Sequence, residues 1–213
     1  MRVRVLPAKS RSLLDLRAFL IPAYALDVSG FSIGFVGLYM PFFYAQVYTI
    51  ERNIASGDLA FYLLAIMNAT STFGRIIPNF AADKFGPFNI VIPFAVVTSV
   101  LCYCFMAVSS SAGIIVLMAF YGFFSGAFVS LPPAIIMSLS QNERGKIGTR
   151  LGQSFACLAM GVLIGTPIGG AILDGTGNYD AVWSFAGSTV LVGAALLTAA
   201  RVSWRGWRLM VKA

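Results

Sequence analysis

Along this chain apolar residues do not alternate with polar ones; they run on. Six stretches stay apolar for about 20 residues or more, the length a helix needs to cross a hydrocarbon layer of ~30 Å. They run approximately from Ala18 to Tyr48, Leu59 to Ala82, Phe88 to Val108, Ile114 to Leu139, Leu151 to Leu173 and Val182 to Ala200. The pattern predicts an all-α membrane protein built as a six-transmembrane-helix bundle. The first run exceeds one crossing and contains Gly30, Gly34, Gly37 and Pro41. A tilted or broken helix is predicted there, because neighbouring helices in a membrane can satisfy the backbone groups a break sets free. Glycines at four-residue spacing, Gly122 with Gly126 and then Gly161, Gly165 and Gly169 beside Gly170, predict close helix packing. A place in the substrate path is the second reading of Gly165-Thr166-Pro167.

Composition agrees with the pattern. The 213 residues are 58% hydrophobic and 11% charged, where a soluble domain carries roughly 25% charge. The net charge of +7 lies in the gaps between apolar runs, which makes it a signal of topology and excludes a nucleic-acid-binding surface. Six spans put both termini on one side. That side collects Arg2, Arg4, Lys9, Arg11, Arg17, Lys84, Arg144, Lys146, Arg150, Arg201, Arg205, Arg208 and Lys212, whereas the opposite loops hold Arg52 with Glu51, Asp58, Asp174 and Asp180. Both termini are therefore expected in the cytoplasm. The expected organisation is a basic cytosolic segment over 1–17, the bundle over 18–200 and a basic cytosolic tail over 201–213. The first apolar run is too long for a cleaved signal, so the basic segment before it is read as retained. Histidine is absent, and Cys102, Cys104 and Cys157 sit inside apolar runs. No metal site, disulfide framework or cofactor is expected, and with no nucleophile beside a base, no enzyme and no catalytic residue. Asn68-Ala69-Thr70 fits a glycosylation sequon but lies inside a span, out of a transferase's reach.

Arg75 is the sharpest chemical signal. A charge within a span costs roughly 2.5 to 3.5 kcal/mol on insertion scales and normally faces a protein interior or a wet cavity. Arg75 lies ~10 Å from the cytosolic end of the second predicted span and Asp27 ~13 Å from that of the first, at a rise of 1.5 Å per residue. In one reading Arg75 offers its planar donor fork to a substrate carboxylate, with Asp27 as counter-ion or proton acceptor. In the other they form a buried structural pair, or Arg75 reaches back to the headgroups. Asn68, Thr70, Ser71 and Thr72 give the second span a polar face just outside Arg75. Among the outer aromatics of the first span, Tyr39 is the candidate polar handle on a ligand, while most of Phe35, Phe42, Phe43 and Tyr44 are expected in the interfacial belt. Asp83-Lys84-Phe85-Gly86-Pro87 reads as a tight loop, with Gly86 taking positive φ and Pro87 starting the next helix.

These residues resemble a family. The second span and its loop, from Phe61 through Gly74-Arg75 and Pro78-Asn79 to Asp83-Lys84-Phe85-Gly86-Pro87, are similar to the eighth transmembrane helix and following loop of fungal monocarboxylate-transporter-like members of the major facilitator superfamily. Gly37-Leu38-Tyr39-Met40-Pro41-Phe42-Phe43-Tyr44 resembles their seventh helix. Ser130-Leu131-Pro132-Pro133, Glu143-Arg144-Gly145-Lys146 and Gly165-Thr166-Pro167-Ile168-Gly169-Gly170 resemble parts of their tenth and eleventh. The resemblance implies the C-terminal six-helix half of a twelve-helix carrier, with substrate held between two halves. It also implies that Arg75 binds the carboxylate of a small organic acid of the monocarboxylate type and that Asp83, Lys84 and Gly86 form a gating loop; Asn68, Ser71, Tyr39 and Asp27 are the further substrate-binding candidates. Two departures stand out: Ser71 occupies the place of an aspartate used in proton coupling by the animal transporters, and Asn79 the place of a loop glycine. The partners implied are the organic acid, the lipid bilayer and either a missing N-terminal half or a second copy; the location implied is the plasma membrane. An exporter of a fungal secondary metabolite is the alternative on the same scaffold. A non-transporting truncated membrane protein or interaction subunit is the third reading.

Overall fold

The computed structural model describes residues 14–206, apart from the side chains of Asn142 and Arg144. The topology residues Arg2, Arg4, Lys9, Arg11, Arg208 and Lys212, with the Arg144 side chain, lie outside that description. The chain enters through a 3-10 turn, Leu16–Leu20, and continues as α1 (Pro22–Leu38), α2 (Met40–Glu51), α3 (Gly57–Phe85), α4 (Pro87–Cys104), α5 (Ser111–Ser130), α6 (Pro132–Leu139), α7 (Ile147–Thr176) and α8 (Tyr179–Arg205). Together these make six helical spans long and apolar enough to cross a membrane.

Local chemistry sets the ends. Pro22, Pro87 and Pro132 open their helices, where a missing N–H costs nothing. Ser56 and Ser110 cap α3 and α5 by accepting from Leu59 N and Gly113 N at 3.4 and 3.1 Å. Gly86 ends α3 at φ 90° and Pro87 opens α4, as expected, but Asp83, Lys84 and Phe85 form the last turn of α3, so the tight loop expected over 83–87 narrows to Gly86. The first span starts at Pro22, after Ala18, and the last runs to Arg205, so the expected boundary at 201 falls inside a helix.

Two spans are broken at proline. The first parts at Tyr39, between α1 and α2, with Pro41 in the opening turn of α2. There the Tyr121 hydroxyl of α5 donates to the Leu38 carbonyl at 2.7 Å, so a neighbouring helix satisfies the break. Tyr121→Phe is expected to cost about 1 kcal/mol or somewhat more, since it strands that buried carbonyl; a denaturant titration of the chain in lipid or detergent checks it. The second break, at Leu131 before Pro132 and Pro133, corrects the single helix expected from Ile114 to Leu139. Neither proline has an N–H to carry the α5 ladder onward.

The helices group as α1 with α7 and α8, and α3 with α4 and α5, joined along α4 and α8. Glycines set the closest approaches. A Cβ on Gly161 or Gly165 of α7 would overlap the carbonyl of Ser32 or Val36 on α1. Most of the outer aromatics of the first span turn inward, contrary to the belt reading. Phe35 stacks on Tyr39 at 5.9 Å, Tyr39 meets Phe42 at 5.3 Å, and Tyr44 donates to the Thr166 carbonyl at 2.8 Å. Phe43 is the exposed member.

Candidate functional site

Of the six spans, those of α3 and α7 are the least buried. On α3 the buried side is Leu63, Met67, Ser71, Gly74 and Pro78. Asn68, Thr72, Arg75 and Asn79, spaced four, three and four residues apart, form a polar stripe beside it. Three of the four are exposed and Asn79 is half-buried.

The stripe has a direction in its chemistry. Asn68 spends its amide on the Leu64 carbonyl at 2.9 Å and Thr72 its hydroxyl hydrogen on the Asn68 carbonyl at 3.2 Å. What they leave available is the amide oxygen and one N–H of Asn68 and the lone pairs of the Thr72 hydroxyl, so acceptors are in excess. Arg75 presents the reverse: five N–H donors and a positive charge, with no ion pair or hydrogen bond from its guanidinium to any described residue. Asn79 donates to the Arg75 carbonyl and, at 3.0 Å, to Ser130 Oγ at the end of α5. Ser130 was not singled out from the sequence as a site residue, and only its place before the Pro132-Pro133 break marks it. Pro78 has no N–H for the Gly74 carbonyl one turn back, so the α3 ladder lacks one bond beside Arg75.

Other expected site residues fall elsewhere. Ser71 is buried against α5, where its carbonyl lies 2.6 Å from the position of a Cβ on Gly126; it is not on the exposed stripe. Asp27 is wholly buried on α1, and neither carboxyl oxygen meets a hydrogen-bond partner among the described residues. The expected Arg75–Asp27 pair is thus not formed. The reason is α5, which stands between them: Phe128 packs on Phe31 and Phe35 of α1, while Gly122 and Gly126 press on α3. Their depths differ too, about 8 Å from the start of α1 against about 15 Å from the end of α3. Tyr39 is half-buried in its aromatic ladder at the α1–α2 break. Asp83 and Lys84 are exposed, and Asp83 lines a cleft of about 400 Å³ with Pro87, Ala134, Met137, Gln141 and Ile147. Among the described residues no cluster of His, Cys, Asp and Glu is placed to hold a metal.

A guanidinium within a span, paired with no described residue and flanked by acceptors, has the chemistry to pair with an anion and to leave those acceptors for hydroxyl donors beside it. No protein-family model matches the chain. Curated relatives do. The MFS-type transporter dbaD of Emericella nidulans is 40% identical over 200 residues, 92% of this chain and 45% of that protein. The aspyridones efflux protein apdF of the same organism is 36% identical over 197 residues, 92% and 40% of the two chains. The agnestins efflux protein AgnL12 of Paecilomyces divaricatus is 36% identical over 173 residues, 81% and 39%. The chain spans less than half the length of each of these three. Over most of its length the chain is thus homologous to less than half of each of these fungal MFS-type transporters, and its six helices, long and apolar enough to cross a membrane, are consistent with one six-helix half of that architecture.

Proposed function

We propose that the chain provides one substrate-facing wall of a fungal MFS-type exporter, and that Arg75 holds the carboxylate of an acidic secondary metabolite. The observation that carries this reading is Arg75 on the exposed stripe of α3, its guanidinium paired with no described residue. The acceptors of Asn68 and Thr72 favour hydroxyl groups next to the acid, and the efflux relatives support a metabolite over a small nutrient acid. Tyr39 adds an aromatic face, and Asp83 and Lys84 in the last turn of α3, with Gly86 after them, gate the cytosolic end. Asp27 and Ser71 take no part in the binding face in this conformation. The facing wall comes from a second six-helix half, the termini lie in the cytoplasm, and the membrane is the plasma membrane.

Competition tests the reading. The chain is co-expressed with a complementary six-helix half in vesicles that accumulate labelled 2,4-dihydroxybenzoic acid. Excess unlabelled acid is expected to suppress accumulation at concentrations about tenfold or more below those at which its methyl ester does, because the ester removes the charge that Arg75 pairs. Equal competition by acid and ester overturns the role of Arg75; no accumulation with any complementary half overturns the transport reading.

A further inference from the structure

At the end of the bundle that holds residues 14 and 206, a second polar cluster lies apart from the α3 stripe. Its centre is Asp15, just ahead of the 3-10 turn, 7% exposed, against Arg150 on the first turns of α7, 4% exposed. Gln153 clasps the backbone of Asp15 at two points, accepting from its N–H at 3.0 Å and donating to its carbonyl at 3.2 Å. Arg150 Nε donates to the Asp15 carboxylate at 3.1 Å, and its other arm reaches Glu143 at 2.6 Å. Lys146 closes the ring, 3.0 Å from Glu143 and 3.7 Å from Asp15. Below the charges, the Tyr24 hydroxyl of α1 meets the Arg150 carbonyl at 2.9 Å, Ser154 Oγ at 2.7 Å and Gln153 Nε2 at 2.9 Å.

Two acids and two bases make the ring electrically neutral, which is what burial of Asp15 and Arg150 demands. The Gln153 clasp is different in kind. It holds main chain and would grip any residue at position 15, so it fixes where the chain runs. Nothing about helix packing requires it: α1 and α7 already meet farther along at Gly161 and Gly165. Its effect falls on the few residues between Asp15 and Pro22.

We infer that Asp15, Gln153 and Arg150 form a latch that fastens the chain entering α1 to α7, so that at this end α1 and α7 part only when the latch opens. The latch is independent of what the α3 stripe binds. Opening frees residues 14–20 from the bundle, and Arg17, exposed within that turn, becomes a protease site that reports it.

The test uses the full chain in permeabilised lipid vesicles with trypsin, following the fragment that begins at Ala18. Gln153→Ala and Asp15→Asn are each expected to speed cleavage after Arg17 by about tenfold or more, because local opening limits cleavage, the first removes the buried hydrogen bonds of the clasp, and the second removes the charge that Arg150 and Lys146 pair. The double variant is expected to add less than the product of the two, since both act on one latch. Cleavage after Lys84, exposed in the last turn of α3, is expected to stay unchanged. An unchanged rate at Arg17 in both single variants overturns the latch. So does a parallel rise at Lys84, which marks general loosening.

Discussion

An Arg75→Ala chain is expected to fold and insert as well as its parent and to lose the acid it carries by about two to four orders of magnitude in apparent affinity. The two halves of that expectation rest on different facts. Folding is spared because the guanidinium is exposed and bonds to no described residue, and surface substitutions of that kind shift stability by about 0.5 kcal/mol or less. Insertion becomes easier, since a span without its arginine is relieved of roughly 2.5 to 3.5 kcal/mol. Binding falls because a bidentate carboxylate contact is two charge-assisted hydrogen bonds, each worth about 1.5 to 3 kcal/mol, and about 1.4 kcal/mol is a factor of ten. Arg75→Lys keeps the charge and loses the fork, so it is expected to fall between, closer to alanine for an acid gripped in the plane of the guanidinium. Concentration dependence of accumulation in the co-expressed pair, beside a denaturant titration of each variant, measures both halves. Undiminished accumulation in the alanine chain would sink the site assignment. A chain that fails to fold would show instead that Arg75 has a structural partner.

The spans were legible because a hydrocarbon layer imposes a length that leaves a plain mark in the sequence. Gly86 and Pro87 were legible for a similar reason, each having a backbone requirement of its own. What the one-dimensional pattern could not carry was azimuth. Arg75 and Asp27 looked like partners because both sit partway down consecutive antiparallel helices, yet depth says nothing about which way a side chain faces, and α5 fills the space between them. Ser71 is a narrower case. It lies four residues before Arg75, about 40° around the helix by the 3.6-residue turn, and the border between exposed stripe and buried contact with Gly126 runs through that small angle. The break at Leu131 was hidden because Pro132 and Pro133 fall late in an apolar run that is long enough with or without them. Asp15 and Gln153 carried no visible signal at all. Their contact joins positions 138 residues apart, and each alone reads as an ordinary polar residue at the edge of a span.

The position of the stripe depends on how closely α3 lies against α5, and Gly122 decides that. A Cβ there would overlap the Met67 carbonyl oxygen and Thr70 Oγ1, one on Gly126 would fall 2.6 Å from the Ser71 carbonyl oxygen, and one on Gly74 would overlap the Phe123 carbonyl. Most of these obstacles are backbone atoms, which cannot rotate aside as a side-chain tip can. Gly122→Ala must therefore push the helices apart along the whole contact, and it is expected to destabilise the bundle by about 1 to 3 kcal/mol, the usual cost of overpacking. The same substitution at Gly152 on α7, where nothing lies within 4 Å of the new methyl group, is expected to stabilise by about 0.5 to 1 kcal/mol, because alanine is the better helix former. Parallel denaturant titrations of the two variants give the comparison, and its force lies in the opposite signs. Both variants gain the same helix propensity, so any difference between them measures the α3–α5 contact. If Gly122→Ala stabilised as Gly152→Ala does, α3 would not be seated on α5 as closely as described. The stripe carrying Arg75, one residue beyond Gly74, would then have no fixed place from which to hold an acid.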